Sequence, residues 1–590
     1  MPETAGRYSS SLEGNNTLVR LYQSQLKDRD YEVRLLKLFE CESSSGYGFE
    51  CRLQYSSLKD NLSYVALSYC WGDLPNTKNL VVENTTVRVS ETLLLALKQL
   101  WHMGNSLVWV DYLCINQDDS DEKSGQVRMM DIIFSKATIV FAWLGTGDHD
   151  SNMAMAVLGG PRLSEQFELP EEAEIACEAV IRLLSRPYWT RCWVIQEICR
   201  ARFPVILCGR RSVTWSTMLR RLDGLGTSAP AQHAQHLISP LRYMRDREQN
   251  RLRAGTEISL IPLLVLSRRS LASDPRDKLY ALLSLANDGR TLIPTPNYSQ
   301  TAEQVFFDTA RCMIEDHDRT DIILLAHRTR GQRNLPSWAP DWANIHSQPP
   351  PWVMECLDRR RPGHKIYNKI HKNILEVRGR QFNTIIGFLD SAAHENKCGN
   401  VTNPNFDMAE TVTLNLIMGL AIRAPAELDR IAVIQVLLEM CDPNGGRMMR
   451  RPSRLRDWII NNANRSIGGA TLARCLEVYL KFHVGVNSNS GNLIDTNFER
   501  TQFAIEQGFE CLEMLRMVFA ITHGNQLRIV HKDARRDDGI YILQNCPLPV
   551  VLRQNTAGTF RFIGEVFVSP RFKAAVMNNP STTTAIIPLE

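Results

Sequence analysis

The chain has 590 residues, 44% hydrophobic and 22% charged, which is the balance of an ordinary globular protein and excludes a small binding module or a disordered or fibrous chain. Its 68 Lys and Arg nearly match 64 Asp and Glu, and a formal charge of +4 is too small a bias to demand a nucleic-acid or anionic-membrane surface. The stretch MPETAGRYSSSLEGNN lacks the pattern of a secretory signal, and no window of about 18 apolar residues suits a membrane span, so a cytoplasmic protein is expected.

Residues 1–30 are polar and read as a loose tail, and an α/β domain is expected over 31–215. Val33–Phe39 and Tyr64–Tyr69 read as strands, and Leu80–Val82 with Val87–Val89 as a hairpin turned at Glu83-Asn84-Thr85-Thr86. Ser90 caps a helix over Glu91–Trp101, and Leu107–Leu113 is a Val- and aromatic-rich run of the kind that forms a buried strand. Asp119 and Glu122 have capping-box spacing for a helix with Val127, Met130 and Ile133 on one face. The run Thr138–Leu144 is a strand stopped by Gly145-Thr146-Gly147. A loop then leads to Pro170, which opens a helix whose stripe is Ala173, Cys177, Val180 and Leu184. A second helix, Trp189–Cys199, precedes the strand Phe203–Cys208. Strands separated by helices of about 10–15 residues predict an α/β, doubly wound and mostly parallel sheet.

Beyond Trp215 the pattern turns mainly helical, giving a helical extension over 216–345 with Ile258–Leu266, Lys278–Ala286, Ala302–Glu315 and the Pro/Trp-rich segment Leu335–Trp342. Pro349, Pro350 and Pro351 with the basic stretch Arg359–Lys372 mark a linker over 346–372. A mixed α+β C-terminal domain is expected over 373–590: a strand at Ile374–Ile386, helices over 407–482 and 500–520, and a closing antiparallel set at Ile540–Leu543, Val550–Arg553 and Thr559–Val568. No internal repeat is present, which excludes a solenoid.

In an open α/β sheet ligands bind at the carboxyl ends of the strands, where loops converge and helix N-termini present their amides. Three loops meet that rule: Cys70-Trp71-Gly72-Asp73, Asp111-Tyr112-Leu113-Cys114-Ile115-Asn116-Gln117 and Gly145-Thr146-Gly147-Asp148. Together they hold an indole, glycines for close approach, carboxylates and two amides, a mix suited to a ribose or a base. A fourth element is helical, Arg191-Cys192-Trp193-Val194-Ile195-Gln196-Glu197, in which Trp193 and Glu197 share a face at i,i+4. An aromatic ring over that carboxylate would raise its pKa by desolvation. Plainer roles are equally compatible with the spacing. Trp189 and Trp193 can be core anchors with Glu197 paired to Arg191 or Arg200, Asp111 can accept backbone amides, Asn116 and Gln117 can build a turn, and Trp71 can be a packing lid.

Sharper signatures fail. There is no GxxxxGK[ST], and the string Gly224-Leu225-Gly226-Thr227-Ser228-Ala229 follows an Arg-rich helical stretch where a dinucleotide site needs a strand. His233 and His236 lack a third metal ligand, so no metal is expected. The fifteen cysteines form no CxxC pair and lie mostly in apolar runs, as do Cys114, Cys192, Cys199, Cys208 and Cys312, which predicts packed thiols. The arginines Arg359 to Arg361 and Arg447, Arg450, Arg451, Arg454 and Arg456 read as solvated loop charge.

Three blocks in order carry a family resemblance: Tyr64-Val65-Ala66-Leu67-Ser68-Tyr69-Cys70-Trp71-Gly72; then Trp109 to Gln117 running on through Gln126-Val127, Met130 and Ala137 to Trp143-Leu144-Gly145; then Arg186-Pro187-Tyr188-Trp189 with Arg191, Trp193 and Gln196-Glu197. In these the chain resembles the heterokaryon incompatibility (HET) domain of filamentous fungi, with a motif core over 64–198. The resemblance extends loosely to the run Asp274 to Leu283 and to Pro336 to Trp342. Phe134 stands where the family usually has Tyr and Lys123 where it has Arg, and the stretch Arg528–Asp538 lacks an expected Gly-rich pattern. The resemblance implies a fungal protein of non-self recognition and programmed cell death, with other proteins as partners: a STAND-type sensor, the product of an incompatible allele, or a second copy of itself.

The order strand ending in Asp, helix, strand, then Trp-x-x-x-Glu on a helix also resembles the Toll and interleukin receptor (TIR) module. That likeness implies a TIR/flavodoxin-like sheet, Glu197 as the catalytic group, and Trp71, Gly72, Asp111, Asn116, Gln117 and Trp193 lining the site. NAD would be the substrate and no cofactor is required, because one carboxylate suffices to stabilise an oxocarbenium-like state. The alternative is a non-enzymatic adaptor that oligomerises and recruits partners through the same surface.

Overall fold

The computed structural model describes residues 21–22, 26, 28, 31–43, 46–71, 78–160, 170–226, 229–326, 333–344, 353, 357, 368–388, 466–467, 470–471, 517–523, 526–567 and 584–590. The chain divides into two compact units, Met1–Val305 and Phe306–Glu590.

The first unit is α/β. Its strands are β1 (Glu32–Ser43), β2 (Gly46–Ser57), β3 (Val65–Tyr69), β4 (Lys78–Val82), β5 (Thr85–Val89), β6 (Leu107–Trp109), β7 (Ile139–Trp143), β8 (Pro204–Cys208) and β9 (Arg211–Thr214). They form one nine-stranded sheet in the order β5-β4-β2-β1-β6-β3-β7-β8-β9. The centre, β6-β3-β7-β8, is parallel throughout. All five residues of β3 are buried, as expected of a parallel strand covered on both faces.

The sheet is mixed, where the helix-strand alternation predicts a mostly parallel one. Antiparallel pairs flank the parallel centre: β1 with β2 and β6, β4 with β5, and β8 with β9. The β4–β5 hairpin is the expected one, but β1–β2 and β8–β9 are also hairpins, whose short connections hide from a reading that looks for helical crossovers. The β4–β5 turn is Glu83-Asn84 alone, both with positive φ (50° and 59°), and Thr85 already pairs with Val82. Gly209 turns β8 into β9 at φ 55°, and a Cβ there would lie 2.8 Å from the Gly147 amide nitrogen.

The helices of the first unit include α1 (Glu91–His102), α2 (Asp111–Cys114), α3 (Ser120–Lys136), α4 (His149–Gly159), α5 (Pro170–Leu184), α6 (Cys192–Arg200), α7 (Trp215–Asp223) and α8 (Ala229–Ala254). Ser90 caps α1 by accepting from the Leu93 amide. The expected strand Leu107–Leu113 stops at Trp109, and its second half is the one-turn helix α2. A continuous apolar run does not distinguish the two, and the Asp111 carboxylate decides it by accepting from the Tyr112 amide at 2.7 Å. The expected loop before Pro170 contains α4, capped by Asp148 and Ser151 acting reciprocally. Trp189 belongs to a 3₁₀ turn, Pro187–Thr190, and not to the helix that carries Glu197.

Asp119 caps α3, but Glu122 does not reach back to it as a capping box would. It is buried in a bidentate pair with Arg34 of β1, at 2.6 and 3.0 Å, and also accepts from the Asn116 amide at 2.7 Å. The Tyr22 hydroxyl donates to the carbonyls of Leu113 and Ile115, and the Arg34 guanidinium lies 4.8 Å from the Tyr22 ring centroid. One ion pair thus ties the first strand, α3 and the loop after α2 together.

In the second unit the long strand Ile374–Phe388 anchors a second sheet, and Gly539–Leu543, Val550–Gln554 and Phe560–Phe567 form the expected closing antiparallel set. Most of the expected helices over 407–482 and 500–520 lies outside the described residues. Where it is described the backbone is extended, at Ser466–Ile467, Ala470–Thr471 and Met517–Thr522, the last a β-branched apolar run that fits either element. The proline triplet and the arginine-rich stretches Arg359–Arg361 and Arg447–Arg456 also lie outside them. Among the described residues no helix is long and apolar enough to cross a membrane.

Removing one member of a buried ion pair leaves the other charge stranded. Glu122→Ala is expected to cost about 3–5 kcal/mol of unfolding free energy, measured by urea denaturation, whereas a loss below about 1 kcal/mol, the range of exposed pairs, would show that water reaches Arg34.

Candidate active site

The site is built where β3 and β6 end and α6 begins. Buried residues occupy almost every position of α6, from Cys192 to Cys199, and its first amide is satisfied from outside by the Leu271 carbonyl at 2.9 Å. Glu197 stands in the last turns of this helix and is only 3% exposed. Its carboxylate accepts the Ser68 hydroxyl, and Ser68 Oγ lies 2.7 Å from the Tyr188 hydroxyl. When Glu197 is ionised, Ser68 gives its one proton to the carboxylate, and Tyr188 then donates to Ser68. The result is a directed chain, Tyr188 to Ser68 to Glu197, with all three members buried.

Electrostatics sets the protonation of that carboxyl. Burial pushes Glu197 up to about 7; the Arg191 charge and the Ser68 bond oppose the shift, and the Asp111 charge adds to it. Arg191 is fixed by donating to the Tyr69 carbonyl, and its charge acts on Glu197 and Asp111 alike. Asp111 is the second raised carboxyl: burial lifts it, against Arg191, the Trp71 indole and the Tyr112 amide. Trp71 Nε1 stands 3.2 and 3.1 Å from the two Asp111 oxygens, and its ring meets Tyr112 edge-on with centroids 5.4 Å apart. At 38% exposure Trp71 is an aromatic surface held by a carboxylate and open to solvent.

The geometry therefore brings Glu197, Asp111 and Trp71 into one electrostatic group. The other residues singled out in the sequence are placed differently. Gln117 Nε2 donates to the Asp111 carbonyl at 3.1 Å and Asn116 Oδ1 accepts from the Asp118 amide at 3.3 Å, so both amides build the turn. Trp193 packs against the hydrophobic core, and its indole N–H faces Asp277, whose carboxyl is raised by burial against bonds from Tyr298 and Trp193. Gly72 lies outside the described residues. Arg200 is committed to Glu248 at 2.7 Å and Asp131 at 3.5 Å, which leaves Arg191 as the arginine that acts on Glu197.

Sequence reasoning missed Ser68 and Tyr188. Ser68 carries a usable signal, since it is the one serine or threonine in the four central strands, and a buried polar group there must find a partner. The third loop is fixed by Arg186, which donates to the carbonyls of Leu144 and Thr146 at 2.8 and 3.2 Å and pairs with Asp148 at 3.1 Å. Burial pushes the Cys114 thiol up to about 12, so it is a packed thiol and not a nucleophile. Among the described residues no group of three His, Cys, Asp or Glu is placed to hold a metal ion.

Residues 64–197 match the family model described as heterokaryon incompatibility protein (HET), a span that contains Ser68, Trp71, Asp111, Tyr188 and Arg191 and ends on Glu197. Over 400 residues the chain is 30% identical to "Heterokaryon incompatibility protein 6, OR allele" of Neurospora crassa. That alignment covers 54% of this chain and 58% of the relative, so the chain spans well under two thirds of the relative's length. No solved structure matches the chain.

A raised carboxyl pKa ties stability to pH with a definite sign. The folded chain holds the Glu197 proton more tightly than the unfolded chain, so this contribution is complete below the ordinary value of 4.5 and is lost as pH rises through about 7. Relative to Glu197→Gln, the wild type is expected to lose about 3 kcal/mol across that window, measured by urea unfolding at stepped pH; a difference independent of pH would show that the carboxyl is not desolvated. Ser68→Ala removes a bond that favours the carboxylate, so the midpoint should move above that of the wild type in the same titration.

Proposed function

We propose, on the premise that residues 64–197 match the HET family model, that the chain is an incompatibility effector that triggers programmed cell death by hydrolysing the nicotinamide–ribose bond of NAD. The observation that carries this reading is Glu197, a buried carboxyl with a pKa of about 7, wired to Ser68 and Tyr188 and set at the carboxyl ends of central parallel strands. Such a carboxyl is half ionised at neutral pH and serves as base or electrostatic stabiliser.

The topology supports a TIR/flavodoxin-like reading. The parallel centre β6-β3-β7-β8 has the order 2-1-3-4 when numbered along the chain, as in doubly wound sheets of flavodoxin type, whose ligand crevice lies outside the carboxyl end of the first strand. Here that first strand is β3, and Ser68 and Tyr69 are its last residues. In the reaction the C1′–N bond breaks and its electron pair stays on nicotinamide, which leaves neutral. Positive charge develops on the ribose, and the Glu197 carboxylate stabilises it. Water then adds its oxygen to C1′ and gives up a proton, which Glu197 accepts and passes to solvent. Trp71 offers a face for the flat ring of the substrate, Asp111 an acceptor for ribose hydroxyls, and Arg191 the positive charge that keeps Glu197 ionisable between two carboxylates.

NAD is the substrate in this reading and no further cofactor is needed. The trigger is another protein, either a STAND-type sensor or the product of an incompatible allele, assembly with a second copy is part of activation, and the site of action is the cytoplasm. The test is nicotinamide release from NAD by the purified, concentrated chain. The rate should rise with pH through about 7, as the carboxylate forms, and Glu197→Gln should lower it at least ~100-fold. No release by the wild type, or equal release by the mutant, would instead favour an adaptor that recruits partners through the same surface.

A further inference from the structure

Glu197 is useful only if α6 is held still, because its bond to Ser68 joins a helix to a strand and tolerates little sliding. Bonds reach every turn of α6 from residues beyond the end of the HET-matched span. At its start the Cys192 amide donates to the Leu271 carbonyl at 2.9 Å. At its middle Gln196 Nε2 donates to Ser284 Oγ at 3.0 Å, and its last residue, Arg200, donates to the Ser284 carbonyl. Its end is gripped by α8. The buried Arg245 guanidinium donates to the carbonyls of Ile198, Cys199 (3.2 Å) and Ala201 (3.0 Å), Glu248 accepts from Arg200 at 2.7 Å, and Gln249 donates to the Cys199 carbonyl at 3.4 Å. Positions 245, 248 and 249 are spaced i, i+3 and i+4, so one face of α8 serves one helix end.

We propose that Arg245 is a positioning residue for Glu197, acting through the last carbonyls of α6 to set where the carboxylate meets Ser68. The first of those carbonyls belongs to Ile198, the residue after Glu197. Buried helix-end carbonyls need donors, and a cation at a helix C-terminus also opposes the dipole. Without Arg245 these groups must find water, which requires the last turn to loosen, and Glu197 moves with it. Reacting groups misplaced by about 1 Å lose about 100-fold in rate. The proposal rests on the reading of Glu197 as the functional carboxyl, but it predicts a change in that carboxyl whether or not NAD is the substrate.

The experiment uses the full chain with Arg245→Gln or Arg245→Lys, each with and without Glu197→Gln. Urea unfolding at stepped pH gives the Glu197 titration midpoint, and nicotinamide release is followed on the same samples. Arg245→Gln is expected to bring the midpoint down from about 7 by about one pH unit as water reaches the carboxyl, and to slow release about tenfold with little change in KM. Arg245→Lys keeps a cation for the carbonyls and should restore most of the midpoint. If Arg245→Gln lowers stability evenly at all pH values and leaves midpoint and release unchanged, Arg245 is a cap alone and the proposal fails. Should that variant not fold, Gln249→Ala and Ser284→Ala each remove a single bond, and a smaller shift in the same direction is required of them. A wild type that releases no nicotinamide removes the NAD reading and leaves the midpoint to decide about Arg245.

Discussion

A carboxylate placed in an apolar interior must be compensated where it stands, because losing water costs an unpaired ion several kcal/mol. Glu197 meets that constraint with two neutral hydroxyls in series and one cation that does not touch it. The hydroxyl chain from Tyr188 through Ser68 supplies a bond without adding charge, and Arg191 supplies charge while bonding to the Tyr69 carbonyl. Each partner comes from a different element: the last residues of β3, the 3₁₀ turn Pro187–Thr190, and the residue that starts α6. Satisfying one carboxyl therefore fixes three pieces of backbone relative to one another.

The supports of the site follow the same logic one layer out. The segment that presents Asp111, the carboxylate that holds the Trp71 indole, is backed by the Arg34–Glu122 pair, whose carboxylate also takes the Asn116 amide, and by Tyr22, whose hydroxyl donates to the carbonyls on either side of Cys114. The loop after β7 is backed by Arg186 on its carbonyls. In each case a charged or hydroxyl side chain from outside the loop satisfies backbone groups that a tight loop cannot satisfy itself. Preorganisation of this kind lets an exposed aromatic such as Trp71 keep a fixed orientation while open to solvent.

The family-matched block ends at Glu197, but the physical unit does not. The carbonyls beyond Glu197 are satisfied by α8, and the turns of α6 by Leu271 and Ser284. A helix of nine residues is too short to hold its shape by its own hydrogen bonds. Packing and bonds from residues 245–284 provide what length does not, and these residues belong to the same compact unit as the sheet.

Much of this was legible along the chain, because periodicity and capping are local. The central strands, α1 with its Ser90 cap, α5 with its stripe, and the closing strands of the second sheet follow from residues a few positions apart, and the three loops with Glu197 stand out as polar groups between apolar runs. Pairing is not local. Nothing in Gly46–Ser57 or Arg211–Thr214 marks an antiparallel neighbour, and Leu107–Leu113 is apolar throughout whether it is strand or helix. The chemistry divides in the same way. The sequence by itself determined which carboxyls and rings were available and that they would gather at strand ends; only the tertiary structure decided that Glu197 answers to Ser68 and Tyr188, that Trp193 serves Asp277 instead, and that Asn116 and Gln117 are occupied by the backbone. A side chain's pKa and partners depend on burial and on groups more than a hundred residues away, as with Ser68 and Glu197, and that information exists only once the chain has closed on itself.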